Sequence, residues 1–116
     1  MDDYNDHPTH LLDGYKVLDF TQYVAGPTVT KLMVEMGAEV IKVELAPNGD
    51  LSRNFSYIRD ERSAYYVQQN RGKMSLCLDM RKLAAQEIVR GLVPKVDVLV
   101  QNYAPGVIWA DGFRLR

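Results

Sequence analysis

The chain has 116 residues, of which 47% are hydrophobic and 25% are charged, and its formal net charge is −1. These values are typical of a soluble globular domain and exclude a disordered, collagen-like or coiled-coil chain. The near-neutral charge does not favour a nucleic-acid partner, and no apolar run approaches the ~20 residues that span a bilayer.

Residues 1–11 form a polar, acidic tail without the basic start and apolar run of a secretory signal. His7 and His10 lie in this polar tail without the set of partner ligands that a metal site needs, so we expect no metal. Cys77 is the only cysteine, and its place in a strand-like segment predicts a buried thiol in a reducing compartment. The expected location is therefore the cytoplasm.

The first predicted elements form a strand, helix and strand unit. Residues 15–20 (YKVLDF) are β-branched and aromatic, which favours a strand. Pro27 suits the first position of the following helix, and Gly37 predicts its left-handed C-terminal cap. Apolar residues recur at helical spacing between them, at Val29, Leu32, Met33 and Met36. Residues 38–44 are predicted to be the second strand, parallel to the first.

The second half of the chain repeats this order. The predicted elements are a helix over 63–71 capped by Ser63, a strand over 73–79, a helix over 81–93 that Pro94 ends, and a strand over 96–102. Alternating strands and helices predict an α/β fold. We expect a Rossmann-like open, mostly parallel sheet with flanking helices.

Three predicted turns follow the carboxyl ends of the strands, in the sequences VAGP, LDMR and NYAPG. Ligands of open parallel sheets bind at this edge, where helix N-termini present free N–H groups. Ala25 and Gly26 permit close backbone approach, Arg81 offers a phosphate partner, and Tyr103 offers a flat face for a base. Turns of this composition also serve as simple connections, and the pattern alone leaves both interpretations open.

A dinucleotide site is a competing interpretation. Glu44 ends the second predicted strand eighteen positions after Gly26, near the spacing of an acidic residue that binds a ribose hydroxyl. The turn lacks the G-x-G-x-x-G pattern, and Pro27 removes an N–H that would face a pyrophosphate. The sequence therefore disfavours this alternative.

Several motifs together resemble the N-terminal part of family III CoA-transferases, the group that includes formyl-CoA and carnitine CoA-transferases and α-methylacyl-CoA racemase. The resemblance covers about Leu12 to Phe113. The motifs, in chain order, are LDGYKVLDFTQYVAGP, MGAEVIKVE, NGDLSR, SAYYVQQNRGKMSLCLDMR, KVDVLVQNYAPGV and DGF.

The resemblance implies that the strand-end turns hold coenzyme A, as substrate and acyl carrier, without a metal. The positions that it matches to CoA contacts are Val24, Ala25, Leu78, Asp79, Met80, Arg81, Asn102 and Tyr103. It also implies acyl-CoA and carboxylic acid substrates, and an interlocked homodimer of the longer chain, with no nucleic acid or membrane partner.

Enzymes of this family use an aspartate nucleophile, which forms an anhydride and then an aspartyl-CoA thioester. That nucleophile is matched by none of Asp19, Asp50, Asp60, Asp79, Asp97 and Asp111. Asp79 is predicted instead to cap the following helix. We therefore expect residues 12–116 to be the N-terminal part of such a domain, truncated before the catalytic aspartate and inactive alone. Two alternatives remain: an acyl-CoA racemase of the same superfamily, and a non-catalytic fragment.

Three positions depart from the family pattern. Val24 stands where the formyl-CoA enzymes have glutamine, and Leu45 and Ala110 stand where many relatives have arginine. Arg114 and Arg116 lie close to the second missing arginine, and nothing in the sequence assigns them its role.

Overall fold

Strands and helices alternate along residues 10–107, the part of the chain that the computed structural model describes. In chain order the elements are β1 (Lys16–Asp19), α1 (Ala25–Glu35), β2 (Glu39–Leu45), β3 (Ile58–Arg59), β4 (Arg62–Ser63), α2 (Ala64–Asn70), β5 (Met74–Leu78), α3 (Leu83–Leu92) and β6 (Val98–Val100). Two short 3-10 turns occupy Leu51–Asn54 and Val93–Lys95.

Four strands form one parallel sheet in the order β5-β2-β1-β6, and β3 and β4 form a separate antiparallel hairpin. In the parallel sheet, Val17 of β1 lies between Val40 of β2 and Val98 of β6. The predicted fold class is confirmed: the described residues form an open α/β sheet with flanking helices.

Helices cover the sheet on both faces, which explains why the middle of β1 is apolar and buried on both sides. Val17 and Leu18, which point to opposite faces of β1, are both 0% exposed. Val17 packs in a cluster with Met33 and Val34 of α1. Leu18 packs in a second cluster with Ala85 and Val89 of α3.

Helix α1 begins at Ala25, so Pro27 occupies its third position, and the prediction that Pro27 is the first helical residue is wrong. The reason is that the first four N–H groups of a helix have no intrahelical acceptor, which makes proline tolerable throughout the first turn. The predicted cap is confirmed: Gly37 has a φ of 101° and donates its N–H to Val34 O at 2.9 Å.

The sheet-facing side of α1 differs from the predicted apolar stripe. Val29 is 50% exposed and Leu32 is 48% exposed, whereas Thr30 is fully buried. A buried threonine is possible here because its hydroxyl donates to Asp19 Oδ2 at 2.6 Å. Spacing predicted the helix correctly, but the side that packs on the sheet includes small and polar residues.

The predicted ends of the later helices are mostly confirmed. Ser63 caps α2 by accepting a hydrogen bond from Tyr66 N, and Pro94 lies in the 3-10 turn after α3. The predicted burial of Cys77 is wrong, because its side chain is exposed. Within the described residues β5 is an edge strand, so the pairing and packing that would bury Cys77 are missing.

Candidate functional site

The carboxyl ends of β1 and β6 meet at the point where the strand order reverses. The chain proceeds from β1 outward through β2 to β5, and β6 then returns to the opposite side of β1. The helix that follows β1 and the helix that precedes β6 lie on opposite faces of the sheet. Such a reversal opens a crevice beyond the strand ends.

The Asn102 side chain, in the segment after β6, forms hydrogen bonds with the turn after β1. Its side-chain Oδ1 accepts from Gln22 N at 2.9 Å, and its Nδ2 donates to Gln22 O at 2.8 Å. The Gln22 side chain donates to the Tyr103 hydroxyl at 3.1 Å. The structure therefore brings two of the predicted site residues, Asn102 and Tyr103, onto the turn that leads into α1.

Gly26 lies in the first turn of α1, where no side chain fits. A Cβ on this residue would lie 2.4 Å from Thr21 Cβ and 3.2 Å from Asn102 Cγ. Glycine thus lets the start of α1 approach the two strand-end segments closely.

The backbone before α1 is held in an unusual conformation. Tyr23 has a φ of 68°, which is uncommon for a bulky residue and costs on the order of 1–3 kcal/mol. Val24 and Ala25 follow it and are exposed, and no acidic residue occupies the first turn of the helix. The free N–H groups and partial positive charge of this helix start suit an anionic group.

The second predicted group of site residues, 78–81, follows β5 at the same edge of the sheet. Met80 is buried in the cluster of α3, so its side chain is not free to contact a ligand, and Leu78 is partly buried in the same cluster. The Arg81 guanidinium is exposed and contacts Asp79, with Nε 2.8 Å from Oδ1 and Nη2 3.0 Å from Oδ2.

Asp79 does not cap α3, so that prediction is wrong. The cap position belongs to Lys82, and Asp79 Oδ1 accepts instead from the backbone N–H of Arg81 at 3.2 Å. The hydrogen bond from the Arg81 side chain lowers the pKa of Asp79. Because Asp79 and Arg81 form a turn, helix α3 begins at Leu83, two residues later than predicted.

The site residues therefore form two groups along one edge. Val24, Ala25, Asn102 and Tyr103 lie around the ends of β1 and β6, and residues 78–81 lie at the end of β5, two strands from β1. Neighbouring strands are ~4.8 Å apart, so the groups are separated by roughly 10–15 Å across the sheet. An elongated ligand could contact both.

Glu44, the residue of the competing dinucleotide interpretation, is not available to a ligand. Its carboxylate is 1% exposed and binds Arg53, with Oε1 2.9 Å from Nε and Oε2 2.7 Å from Nη2. It also accepts hydrogen bonds from Ser75, Tyr66 and Asp50 N. Burial alone would raise the pKa of Glu44, but the hydrogen bonds from Arg53 and Ser75 outweigh it, and the pKa falls to about 2.

A buried polar network that sequence reasoning missed lies under the α1 face of the sheet. The side chains of Lys42 and Lys73 are both 1% exposed, and they lie 2.7 Å from Asp50 Oδ2 and 3.1 Å from Asp19 Oδ2 respectively. Asn70 Oδ1 accepts from both lysines at 3.0 Å. The only available signal was charged residues at strand positions, which periodicity treats as solvent-facing.

An aromatic row adjoins the start of α1. The rings of Tyr23 and Phe55 are 6.0 Å apart, and those of Phe55 and Tyr65 are 5.1 Å apart. Phe55 and Tyr65, with Tyr57, line a cavity of about 380 Å³. The loop after β2 thus brings apolar surface next to the strand-end crevice.

The described residues define an open, parallel α/β domain whose strand order reverses between β1 and β6. Residues 12–115 match the sequence profile of CoA-transferase family III, and the chain belongs to that family. The family predicted from the motifs is confirmed.

Individual relatives agree with this assignment. The chain is 42% identical over 106 residues to a formyl-CoA:oxalate CoA-transferase of Rhodopseudomonas palustris (strain TIE-1), covering 90% of this chain and 25% of the relative. A formyl-CoA:oxalate CoA-transferase of Bradyrhizobium sp. (strain ORS 278) is 41% identical over the same length. The chain therefore spans about a quarter of the length of the curated relatives that it matches.

Solved structures share the fold. A CAIB/BAIF family protein from Brucella suis superposes with a TM-score of 0.83 at 35% identity, covering 91% of this chain and 29% of that one. The hypothetical protein Rv3272 from Mycobacterium tuberculosis gives a TM-score of 0.81 at 38% identity, with the same coverage of both chains.

Some sequence-based expectations concern residues outside 10–107, and the structure does not describe them: the tail with His7, and the C-terminal Ala110, Asp111, Arg114 and Arg116. Within 10–107, no three His, Cys, Asp or Glu side chains are grouped as metal ligands would be. The helices of that same stretch are all too short or too polar to cross a membrane.

Proposed function

We propose that this chain supplies the CoA-binding edge of a CoA-transferase that moves coenzyme A from an acyl-CoA to a carboxylic acid. The observation that carries the proposal is the pair of hydrogen bonds between the Gln22 backbone and the Asn102 side chain. These bonds hold the start of α1 beside the end of β6. Family membership supports CoA as the ligand.

Each part of the edge suits a different portion of coenzyme A. The N–H groups at Val24 and Ala25 suit an anionic or polarised oxygen, because they lie at the positive end of α1. The exposed Arg81 guanidinium, which Asp79 orients through Nε and Nη2, suits a phosphate as a charge partner. The half-buried Tyr103 ring offers a surface for the adenine. Leu78 and Met80 contribute backbone groups, since their side chains pack in the core.

The nucleophilic aspartate of the proposed reaction comes from outside residues 10–107. Asp19 and Asp50 are buried against lysines, and Asp79 is paired with Arg81. Asp97 accepts from Lys16 N at the opposite edge of the sheet. In the proposed reaction, such a carboxylate attacks the thioester carbonyl and expels CoA thiolate, which leaves a mixed anhydride. The thiolate then attacks the aspartyl carbonyl, which forms the aspartyl-CoA thioester and releases the donor acid. The acceptor carboxylate takes CoA by the reverse of these two steps and frees the aspartate.

Calorimetric titration with CoA tests the binding part of the proposal. We expect saturable binding, and we expect Asn102→Ala to weaken it by about tenfold because the turn loses both side-chain hydrogen bonds. Asn54→Ala, an exposed asparagine in the 3-10 turn after β2, is the matched control and keeps the affinity. Equal affinities in all three proteins would contradict the proposed site.

A second assay separates transfer from the racemase alternative. A protein that contains this chain together with the segment that supplies the aspartate is incubated with formyl-CoA and oxalate, the substrates in the names of the relatives, and the products are identified by mass. Appearance of oxalyl-CoA supports transfer. If instead a 2-methylacyl-CoA in D2O exchanges its α-hydrogen for deuterium and no new thioester forms, the result would support racemisation.

A further inference from the structure

Two buried ammonium groups bind the two ends of the proposed CoA-binding turn. Lys42 Nζ donates to Thr21 O at 2.9 Å, and Lys73 Nζ donates to Pro27 O at 3.2 Å. Thr21 and Pro27 flank residues 22–26, which contain the positive-φ Tyr23 and the close contact at Gly26. The two lysines come from β2 and from the segment before β5, so the contacts tie the turn to distant parts of the chain.

Each lysine makes two hydrogen bonds and one ion pair in this arrangement. An ammonium group has three N–H donors. Lys42 contacts Thr21 O, Asn70 Oδ1 and Asp50 Oδ2, and Lys73 contacts Pro27 O, Asn70 Oδ1 and Asp19 Oδ2. Asp19 in turn accepts from Thr21 N at 2.7 Å. Each lysine therefore links one carboxylate, the shared Asn70 and one carbonyl of the turn.

Stability alone does not account for two buried ion pairs. Desolvating a charge costs several kcal/mol, and well-packed apolar residues of similar volume commonly stabilise a core as well or better. Burial lowers the pKa of Lys73, and the nearby Asp19 carboxylate opposes this effect. What an apolar replacement cannot supply is a directional bond to a backbone carbonyl. The strained Tyr23 also requires surroundings that fix its conformation.

We propose that Lys42 and Lys73 are positioning residues, which fix the turn 22–26 in the shape that receives CoA. They do so through Thr21 O and Pro27 O, without contacting the ligand. This inference rests on the proposed function, because it assigns CoA to that turn.

The test combines CoA affinity with thermal stability. Lys73→Met should weaken CoA binding by about tenfold, since Pro27 O loses its donor. The double variant Asp19→Asn with Lys73→Met removes both charges, so its melting temperature should recover toward wild type while the affinity stays weak. Lys42→Met with Asp50→Asn should behave in the same way. Val89→Ala, on the α3 face, is the control: it lowers the melting temperature and keeps the affinity.

Hydrogen exchange without ligand gives an independent readout. Amides of residues 21–28 should exchange faster in the double variant than in Val89→Ala, and amides of α3 should not. Recovery of affinity together with stability, or unchanged exchange in residues 21–28, would overturn the positioning role. Failure of the wild-type protein to bind CoA would overturn the proposed function instead, while the exchange data would still decide whether the lysines fix the turn.

Discussion

At the scale of single residues, the start of α1 depends on a position where only a hydrogen atom fits. Gly26→Ala should destabilise the protein by about 1–3 kcal/mol, because the added Cβ overlaps Thr21 and crowds Asn102. Gly91→Ala in α3 is the matched control, since no atom lies within 4 Å of its added Cβ. It should be stabilising by about 0.5–1 kcal/mol. Urea unfolding of both variants measures the contrast, and equal effects would contradict the packing at Gly26.

Arg81 is an exposed cation that follows the carboxyl end of β5. Arg81→Gln should weaken CoA binding by about tenfold, because a charge-assisted contact to phosphate is lost. Arg90→Gln removes the same charge from the last turn of α3, near the opposite edge of the sheet, and should leave the affinity unchanged. Titration of the two variants with CoA decides the point. If Arg90→Gln weakens binding as much as Arg81→Gln, general charge attraction is responsible and Arg81 has no specific role.

Glu44 should make stability depend on acid pH. Its pKa is about 2 in the folded protein against an ordinary value of 4.5, so its stabilising contribution is complete above pH 4.5 and is lost as the pH falls toward 2. The contribution is on the order of 3 kcal/mol. Glu44→Gln should therefore be less stable than wild type at pH 6, and the difference should shrink toward pH 2. A difference in unfolding free energy that stays constant between pH 6 and pH 2 would contradict the pKa shift.

At the scale of elements, apolar spacing predicted each main strand and helix but not which side of a helix packs. Ile88 and Val89 are neighbouring apolar residues of α3, yet Val89 is 0% exposed and Ile88 is 48% exposed. Val89→Ala should therefore destabilise the protein by about 2 kcal/mol, and Ile88→Ala by less than about 1 kcal/mol. Thermal unfolding of the two variants tests this, and a larger effect at Ile88 would contradict the orientation of α3.

Apolar spacing also fails to predict the turns, such as the one that sets the start of α3. Side-chain hydrogen bonds such as those of Asp79 with Arg81 decide where α3 begins, and helical periodicity carries no information about them. The tie between Gln22 and Asn102 joins residues eighty positions apart. Only the topology brings these residues together, so the sequence could predict that both follow strands but not that they bind each other.

At the scale of the whole molecule, the fold class was predictable from the order of elements, and so was the sheet edge at which the site is proposed. The buried network of Lys42, Lys73, Asp19 and Asp50 was not, because charged residues in strands and in loops are usually solvent-facing. The parallel sheet requires helices on both faces, and the α1 face is partly filled by these ion pairs instead of apolar side chains. That face lies directly beneath the proposed CoA-binding turn.

Hydrogen exchange with and without CoA tests the location of the ligand most directly. We predict that CoA slows amide exchange in three segments at the carboxyl edge, namely residues 21–28, 78–82 and 101–104. The opposite edge, around Lys16 and Asp97, should be unaffected. Slower exchange confined to that opposite edge or to the β3 and β4 hairpin, or no change at saturating CoA, would contradict the strand-end site.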